Sequence, residues 1–193
     1  MAFFDLTAND DNVTLSSGLP SPSGGAPYAI GDSVRAFEGN DIVNGSEAND
    51  DANGNVGNDT VSGVGGDDNL RGGQGDDVLL GQDGNDVLSG DRGRDFLTGG
   101  FGADTFVLTN NADNVAANGV GADVITDFTI AQADKIQLVG AGFADITFET
   151  IDLIVDGGTA VASTAIKLKT GGQYLGVVQG VSPFDMANPS LFI

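Results

Sequence analysis

From Ala36 to Val107 an apolar residue returns at every ninth position: Val43, Ala52, Val61, Leu70, Leu79, Leu88, Leu97 and Phe106. A fixed period of this kind marks a repeat architecture, in which each unit buries its apolar side only by stacking on its neighbours. Eight units abut without insertion: AFEGNDIVN, GSEANDDAN, GNVGNDTVS, GVGGDDNLR, GGQGDDVLL, GQDGNDVLS, GDRGRDFLT and GGFGADTFV. Column one is Gly except at Ala36, and column four is Gly except at Ala48. Column six is Asp throughout, and column eight is the apolar one. Short strands such as Val78-Leu79-Leu80 and Val87-Leu88-Ser89 put column eight on one face, where it stacks into an inner ladder. Glycines at columns one and four permit positive φ and the close backbone approach of a tight stacked turn.

Partial units frame the block. In register upstream, PYAIGDSVR keeps Asp32 and Val34; downstream, LTNNADNVA keeps Asp113 and Val115. One residue further on, NGVGADVIT keeps Asp123 and Ile125, and near the start Asp11 and Val13 form another remnant, set off by the Pro-, Ser- and Gly-rich stretch 16–27. The pattern then changes. ADVITDF and ADKIQLVG read as short strands joined by a turn around Ile130 to Asp134. TAIKLK alternates, Gly171-Gly172 gives a turn, and Gln173 to Val181 returns, so an antiparallel hairpin is expected against the last coils. Three regions result: a partial repeat and loop over 1–26, a roll over 27–126, and a β cap over 127–193.

Charge sharpens this picture. The chain carries 28 acidic and 7 basic residues, a net charge of -21, which excludes a nucleic-acid phosphate binder and points to multivalent cations. With no Cys or His, a zinc protease helix and nucleophile systems built on His or Cys are impossible. No apolar run approaches the roughly 18 residues of a membrane span, and the amino terminus lacks the basic and apolar regions of a cleavable signal. Lys135, Lys167 and Lys169 fall in the cap, where they read as solubilising edge charges.

The units resemble the RTX, or haemolysin-type, calcium-binding repeat GGxGxDxUx. That resemblance implies an all-β fold: a right-handed parallel β-roll, closed by a short C-terminal antiparallel segment similar to the end of serralysin-type proteases. It also implies a turn from the first six residues of each unit, a strand from the last three, and two units per coil. Residues 18 apart then stack, with Asp41, Asp59, Asp77 and Asp95 on one side and Asp50, Asp68, Asp86 and Asp104 on the other. Two charges about 4.8 Å apart repel by about 3.5 kcal/mol at an effective dielectric of about 20, so a divalent ion is expected between them.

Calcium suits the donors, since it takes about six to eight oxygen ligands in adaptable geometry, whereas zinc and copper want nitrogen or sulfur. By resemblance, each ion lies between same-side turns, held by both column-six aspartates and by carbonyls of columns one to four. Gly63, Gly65, Gly72, Gln74, Gln82, Gly84, Asp91 and Gly93 are the carbonyl candidates. Sites using Asp41 or Asp50 rank lower, because Ala48 replaces a glycine and Phe37 and Ser46 alter the turn; Asp32, Asp113 and Asp123 rank lower again. The competing reading of column six is a turn cap that accepts backbone N–H groups with no metal. For column five, from Asn40 to Asn85, ordinary turn chemistry is favoured over ligation.

The expected protein is a calcium-binding RTX protein of a bacterium, secreted or at the cell surface, that folds on meeting calcium outside the cell. Its role is structural, surface-forming or adhesive rather than enzymatic. The alternatives are a secretion and folding module of a larger enzyme such as a protease or lipase, or an extracellular calcium buffer or sensor. Expected partners are calcium, the type I secretion machinery, and a second copy or a cell-surface partner. The terminal SPFDMANPSLFI, with Asp185 and Leu191-Phe192-Ile193, resembles an uncleaved type I signal and equally reads as a last strand completing the core.

Overall fold

The computed structural model describes residues 3–5, 8–14, 33–110, 121–153 and 160–193. Asp32 and Asp113, with most of their partial units, lie outside the described residues. In chain order the strands are β1 (Phe3–Asp5), β2 (Asn12–Thr14), β3 (Ser33–Arg35), β4 (Ile42–Ser46), β5 (Asp51–Val56), β6 (Thr60–Gly65), β7 (Asn69–Gln74) and β8 (Val78–Asp83). They continue as β9 (Val87–Arg92), β10 (Phe96–Phe101), β11 (Thr105–Thr109), β12 (Asp123–Ile125), β13 (Lys135–Val139), β14 (Ile146–Leu153), β15 (Val161–Leu168) and β16 (Tyr174–Gln179).

Odd and even strands separate into two sheets. One runs β1-β3-β5-β7-β9-β11-β13, and the other runs β14-β15-β16-β12-β10-β8-β6-β4-β2. Within the repeats every pairing is parallel and offset by 18 residues, as in Val61 with Leu79 and Leu70 with Leu88. Two units therefore make one coil, and the chain is a parallel β-roll.

The strands are longer than the three residues expected. Most span six, covering columns seven to nine and then columns one to three of the next unit. Pairing between β6 and β8 runs from Thr60 to Ser62, skips Gly63, and resumes at Val64 and Gly65. The ladder bends at column one but continues, because columns two and three still exchange hydrogen bonds with the next coil. That leaves a tight turn of only columns four to six.

Column eight fills the space between the sheets. Val43, Val61, Leu79 and Leu97 face Ala52, Leu70, Leu88 and Phe106, none more than 2% exposed. Truncating the middle of this ladder, Leu79→Ala, is expected to cost about 2–5 kcal/mol through lost burial and the cavity left behind. Denaturant unfolding in saturating calcium measures it, and a loss under about 1 kcal/mol would contradict a close-packed ladder.

The stacking does not stop at residue 126. β12 pairs with β10 through Leu97 with Ile125, and β13 pairs with β11 through Phe106 with Ile136. The segments read as separate closing strands are thus the last rungs of the two sheets. A 3-10 turn at Ile130–Gln132 joins them, with Ala133 left-handed at its end. The hairpin of β15 and β16 is antiparallel as expected, but β16 also pairs in parallel with β12, so the cap is continuous with the roll.

The carboxy terminus forms a helical turn, α1 (Pro183–Met186), and a 3-10 turn at Pro189–Leu191, rather than the strand considered above. Pro183 starts α1 and the Ser182 hydroxyl accepts the Asp185 N–H as its cap. Met186 and Leu191 are buried, and Ile193 exchanges backbone hydrogen bonds with Ile136 and Leu138, covering the outer edge of β13.

The cap lysines do more than solubilise an edge. The Lys135 ammonium donates to the Ser190 carbonyl at 2.7 Å and that of Lys169 to the Ala144 carbonyl at 2.6 Å. Lys167 reaches both Glu149 and the Tyr174 hydroxyl at 3.3 Å. Among the described residues no helix is long and apolar enough to cross a membrane.

Candidate calcium sites

Column six carries two distinct jobs on one side chain. Its first oxygen, Oδ1, accepts the backbone N–H of the column-six Asp one coil earlier: Asp59 N–H donates to Asp77 at 2.8 Å, and Asp77 N–H to Asp95 at 2.9 Å. On the other side Asp68 donates to Asp86 at 2.8 Å and Asp86 to Asp104 at 3.0 Å. These bonds are the turn cap of the competing reading. The second oxygen is different. Oδ2 of Asp41, Asp59, Asp68, Asp77, Asp86, Asp95 and Asp104 is buried and has no hydrogen-bond partner. Leaving one buried polar atom unsatisfied costs about 1–3 kcal/mol, more when it is charged, so a repeated row of them is a row of positions shaped for something else.

Column one makes the space. A Cβ placed on Gly54 would stand 2.3 Å from Asp59 Oδ2 and 2.7 Å from the Gly72 carbonyl oxygen; on Gly81 it would stand 2.2 Å from Asp86 Oδ2 and 2.5 Å from the Gly99 carbonyl. At Asp59, Asp68 and Asp86 the orphaned carboxylate oxygen thus converges with a column-one carbonyl of the next coil. The column-one glycines are not needed for positive φ, contrary to expectation; positive φ falls at columns two and four, as at Gln82 (77°) and Gly84 (143°). At column one any side chain would fill the space beside the carboxylate.

The carbonyl candidates divide accordingly. Gly72 and Gly63 face the carboxylate of the turn below, Asp59 and Asp50 respectively, and Gly81 and Gly99, which the sequence reading omitted, do the same for Asp68 and Asp86. The Gln74 carbonyl accepts the Gly57 N–H at 2.8 Å. The Gln82 and Gly84 carbonyl oxygens lie where a Cβ on Gly100 or Gly102 of the next coil would stand. Gly65 ends β6, and Gly93 lies over the Gly75 carbonyl. Asp91, a candidate through its carbonyl, has its carboxylate taken by the Arg71 guanidinium at 2.7 Å and the Ser89 hydroxyl at 2.9 Å.

Beyond the repeats, Asp123 accepts the Asp95 N–H and Asp134 the Asp104 N–H, each at 3.2 Å. Asp123 therefore stands in column six, as its partial unit suggested. Asp134 was missed: the irregular segment before ADKIQLVG hides its register, and the signal available was Asp followed two residues later by buried Ile136. Its Oδ2 accepts the Thr129 N–H at 2.7 Å, which closes that position. Column five behaves as turn chemistry and runs the other way. Asp76 N–H donates to Asn58 Oδ1 and Arg94 N–H to Asp76 Oδ1, an outer ladder with no orphaned oxygen among the described residues; only Arg94 Nε lacks a hydrogen-bond partner there.

Burial first, and neighbouring carboxylates after it, raise these groups against the opposing effect of the backbone N–H bonds. Asp68 and Asp77 are pushed up to about 7 and Asp104 to about 6, and Asp123 rises well above the ordinary carboxylate range. Among the described residues no three carboxylates converge on one point, so a cation held here needs backbone carbonyls too. An all-oxygen set of carboxylates and carbonyls in a glycine-lined space fits calcium and offers nothing to thiophilic or imidazole-seeking metals.

The RTX calcium-binding nonapeptide repeat, described in four copies, matches residues 35–70, 53–88, 62–97, 71–106 and 80–115. The central block is an RTX repeat array. As such it is a calcium-binding structural repeat. The chain is also similar to the solution structure of the AlgE6R3 subunit from the Azotobacter vinelandii mannuronan C5-epimerase, at 28% identity over 69% of this chain and 71% of that one, with a TM-score of 0.39. No curated protein matches the chain.

Proposed function

We propose that this RTX protein is exported from a bacterium unfolded, folds on binding calcium outside the cell, and then serves as a structural or adhesive surface element without catalytic activity. The observation that carries this is the row of seven buried, unpartnered Oδ2 atoms. As carboxylates in two stacks they oppose closure of the roll, and bound calcium supplies the positive charge and the missing coordination. Gly54 to Gly99 leave room beside each carboxylate from Asp59 to Asp104, the Oδ1 bonds hold the side chains in place, and the Gly72, Gly81 and Gly99 carbonyls add to the oxygen set at Asp59, Asp68 and Asp86.

Export fits the same logic. Leu191 is buried in the folded cap while Phe184 is 88% exposed, so the terminal segment proposed as the type I signal is fully presented only before folding, in a calcium-poor compartment. Calcium titration followed together by circular dichroism and light scattering tests the proposal. Folding with a midpoint near about 10⁻⁴–10⁻³ M, the range of extracellular calcium modules, followed by calcium-driven association, is expected. Complete β structure in excess EGTA would sink it.

A further inference from the structure

The turn from Gly45 to Asp50 departs from every other repeat turn in linked ways. Column four holds Ala48, whereas the column-four glycines from Gly39 to Gly102 have φ between 103° and 143°. An L side chain is strongly disfavoured there, and neither Ala48 nor Ser46 has positive φ. With a different backbone path the Ser46 N–H turns into the turn. It donates to Asp50 Oδ2 at 2.7 Å, and the Ser46 hydroxyl donates to the same oxygen at 3.0 Å. The carboxylate is drawn out of its place: Asp50 Oδ2 is 2.9 Å from the Cβ position of Gly45, against 1.9–2.3 Å at the six following column-one glycines. Asp50 is accordingly the one column-six aspartate between Asp41 and Asp104 whose Oδ2 is not orphaned.

We infer that Ser46 takes the place of a calcium ion at Asp50, satisfying that carboxylate from within its own turn so that the site between the turns 45–50 and 63–68 is closed and needs no metal. This rests on the calcium reading of the other turns and adds what that reading does not contain: one rung is a cation-independent lock, built by the coupled presence of Ala48 and Ser46. Two donors to a carboxylate stabilise its charged form as a cation does. Asp68 still stacks on Asp50 through the Asp50 N–H at 2.7 Å, as at the other rungs, so closing this site leaves the ladder intact. Restoring glycine at both positions, S46G/A48G, removes the hydroxyl donor and allows the neighbouring turn geometry, which reopens the site.

Native mass spectrometry of the full chain in calcium, counting bound ions, tests this. Asp50→Asn is expected to bind as many ions as the parent, Asp77→Asn fewer, and S46G/A48G one more. Loss of an ion from Asp50→Asn, or no gain by a folded S46G/A48G, would overturn the lock. Should Asp50→Asn not fold in calcium, the S46G/A48G count decides alone. An Asp77→Asn count equal to the parent's would instead defeat the calcium reading of the stacks themselves.

Discussion

Stripped of calcium by excess EGTA near about pH 7.5, the protein is expected to lose its β-sheet circular dichroism and to regain much of it as the pH falls toward about 4.5. The folded roll raises its column-six carboxyls, by burial above all, to about 7 at Asp68 and Asp77 and about 6 at Asp104, from an ordinary value of 3.8. A group raised on folding binds protons better in the folded chain. Its stabilisation is fully present below the unfolded value and is lost as the pH rises through the folded value. For the metal-free roll that window runs from 3.8 to about 7, so protons can replace charge neutralisation at acid pH and cannot do so at neutrality. Calcium competes with the same protons, so its apparent affinity is expected to weaken as the pH drops through the same window. A metal-free protein fully folded at neutral pH, or one that gains no structure on acidification, would show that these carboxylates do not govern folding.

The nine-residue period makes much of this legible in the sequence. The column-eight ladder follows from the period itself; stacking at 18 residues, and with it the alternation of Asp59, Asp77 and Asp95 with Asp68, Asp86 and Asp104, comes from the resemblance to RTX repeats, because a nine-residue period does not state how many units make a coil. What the sequence concealed is local and conformational. Nothing in a row of glycines says that column four needs φ near 130° while column one needs only an empty place beside a carboxylate; that difference depends on where Asp59 Oδ2 and the Gly72 carbonyl point. Asp134 was hidden because its 30-residue offset from Asp104 breaks the period, although the hydrogen bond between them preserves the ladder. The two readings weighed for column six, turn cap or ligand, draw on different oxygens. Oδ1 makes the cap, and Oδ2, buried without a hydrogen-bond partner, is the atom on which the proposed ligation rests.

That division of labour among glycines gives the second large effect. Gly84→Ala is expected to destabilise the calcium-loaded protein by more than about 3 kcal/mol, combining positive-φ strain with a backbone clash, whereas Gly65→Ala should change it by less than about 1 kcal/mol. A Cβ on Gly84 would stand 1.7 Å from the Gly66 carbonyl oxygen, and φ there is 143°. Backbone on both sides of the clash is held by stacking, since the Gly84 N–H donates to the Phe101 carbonyl at 2.9 Å and the Gly66 carbonyl belongs to the coil beneath. Neither partner can move without parting two coils. Gly65, in column three, carries no positive φ, and a Cβ there would first meet Glu47 Oε2 at 3.2 Å, the far end of a flexible side chain. Thermal melts of both variants in saturating calcium separate these outcomes. If Gly84→Ala melts within a degree or two of the parent, the column-four turns yield far more readily than their stacking implies, and Ala48 is not what gives its turn a different path.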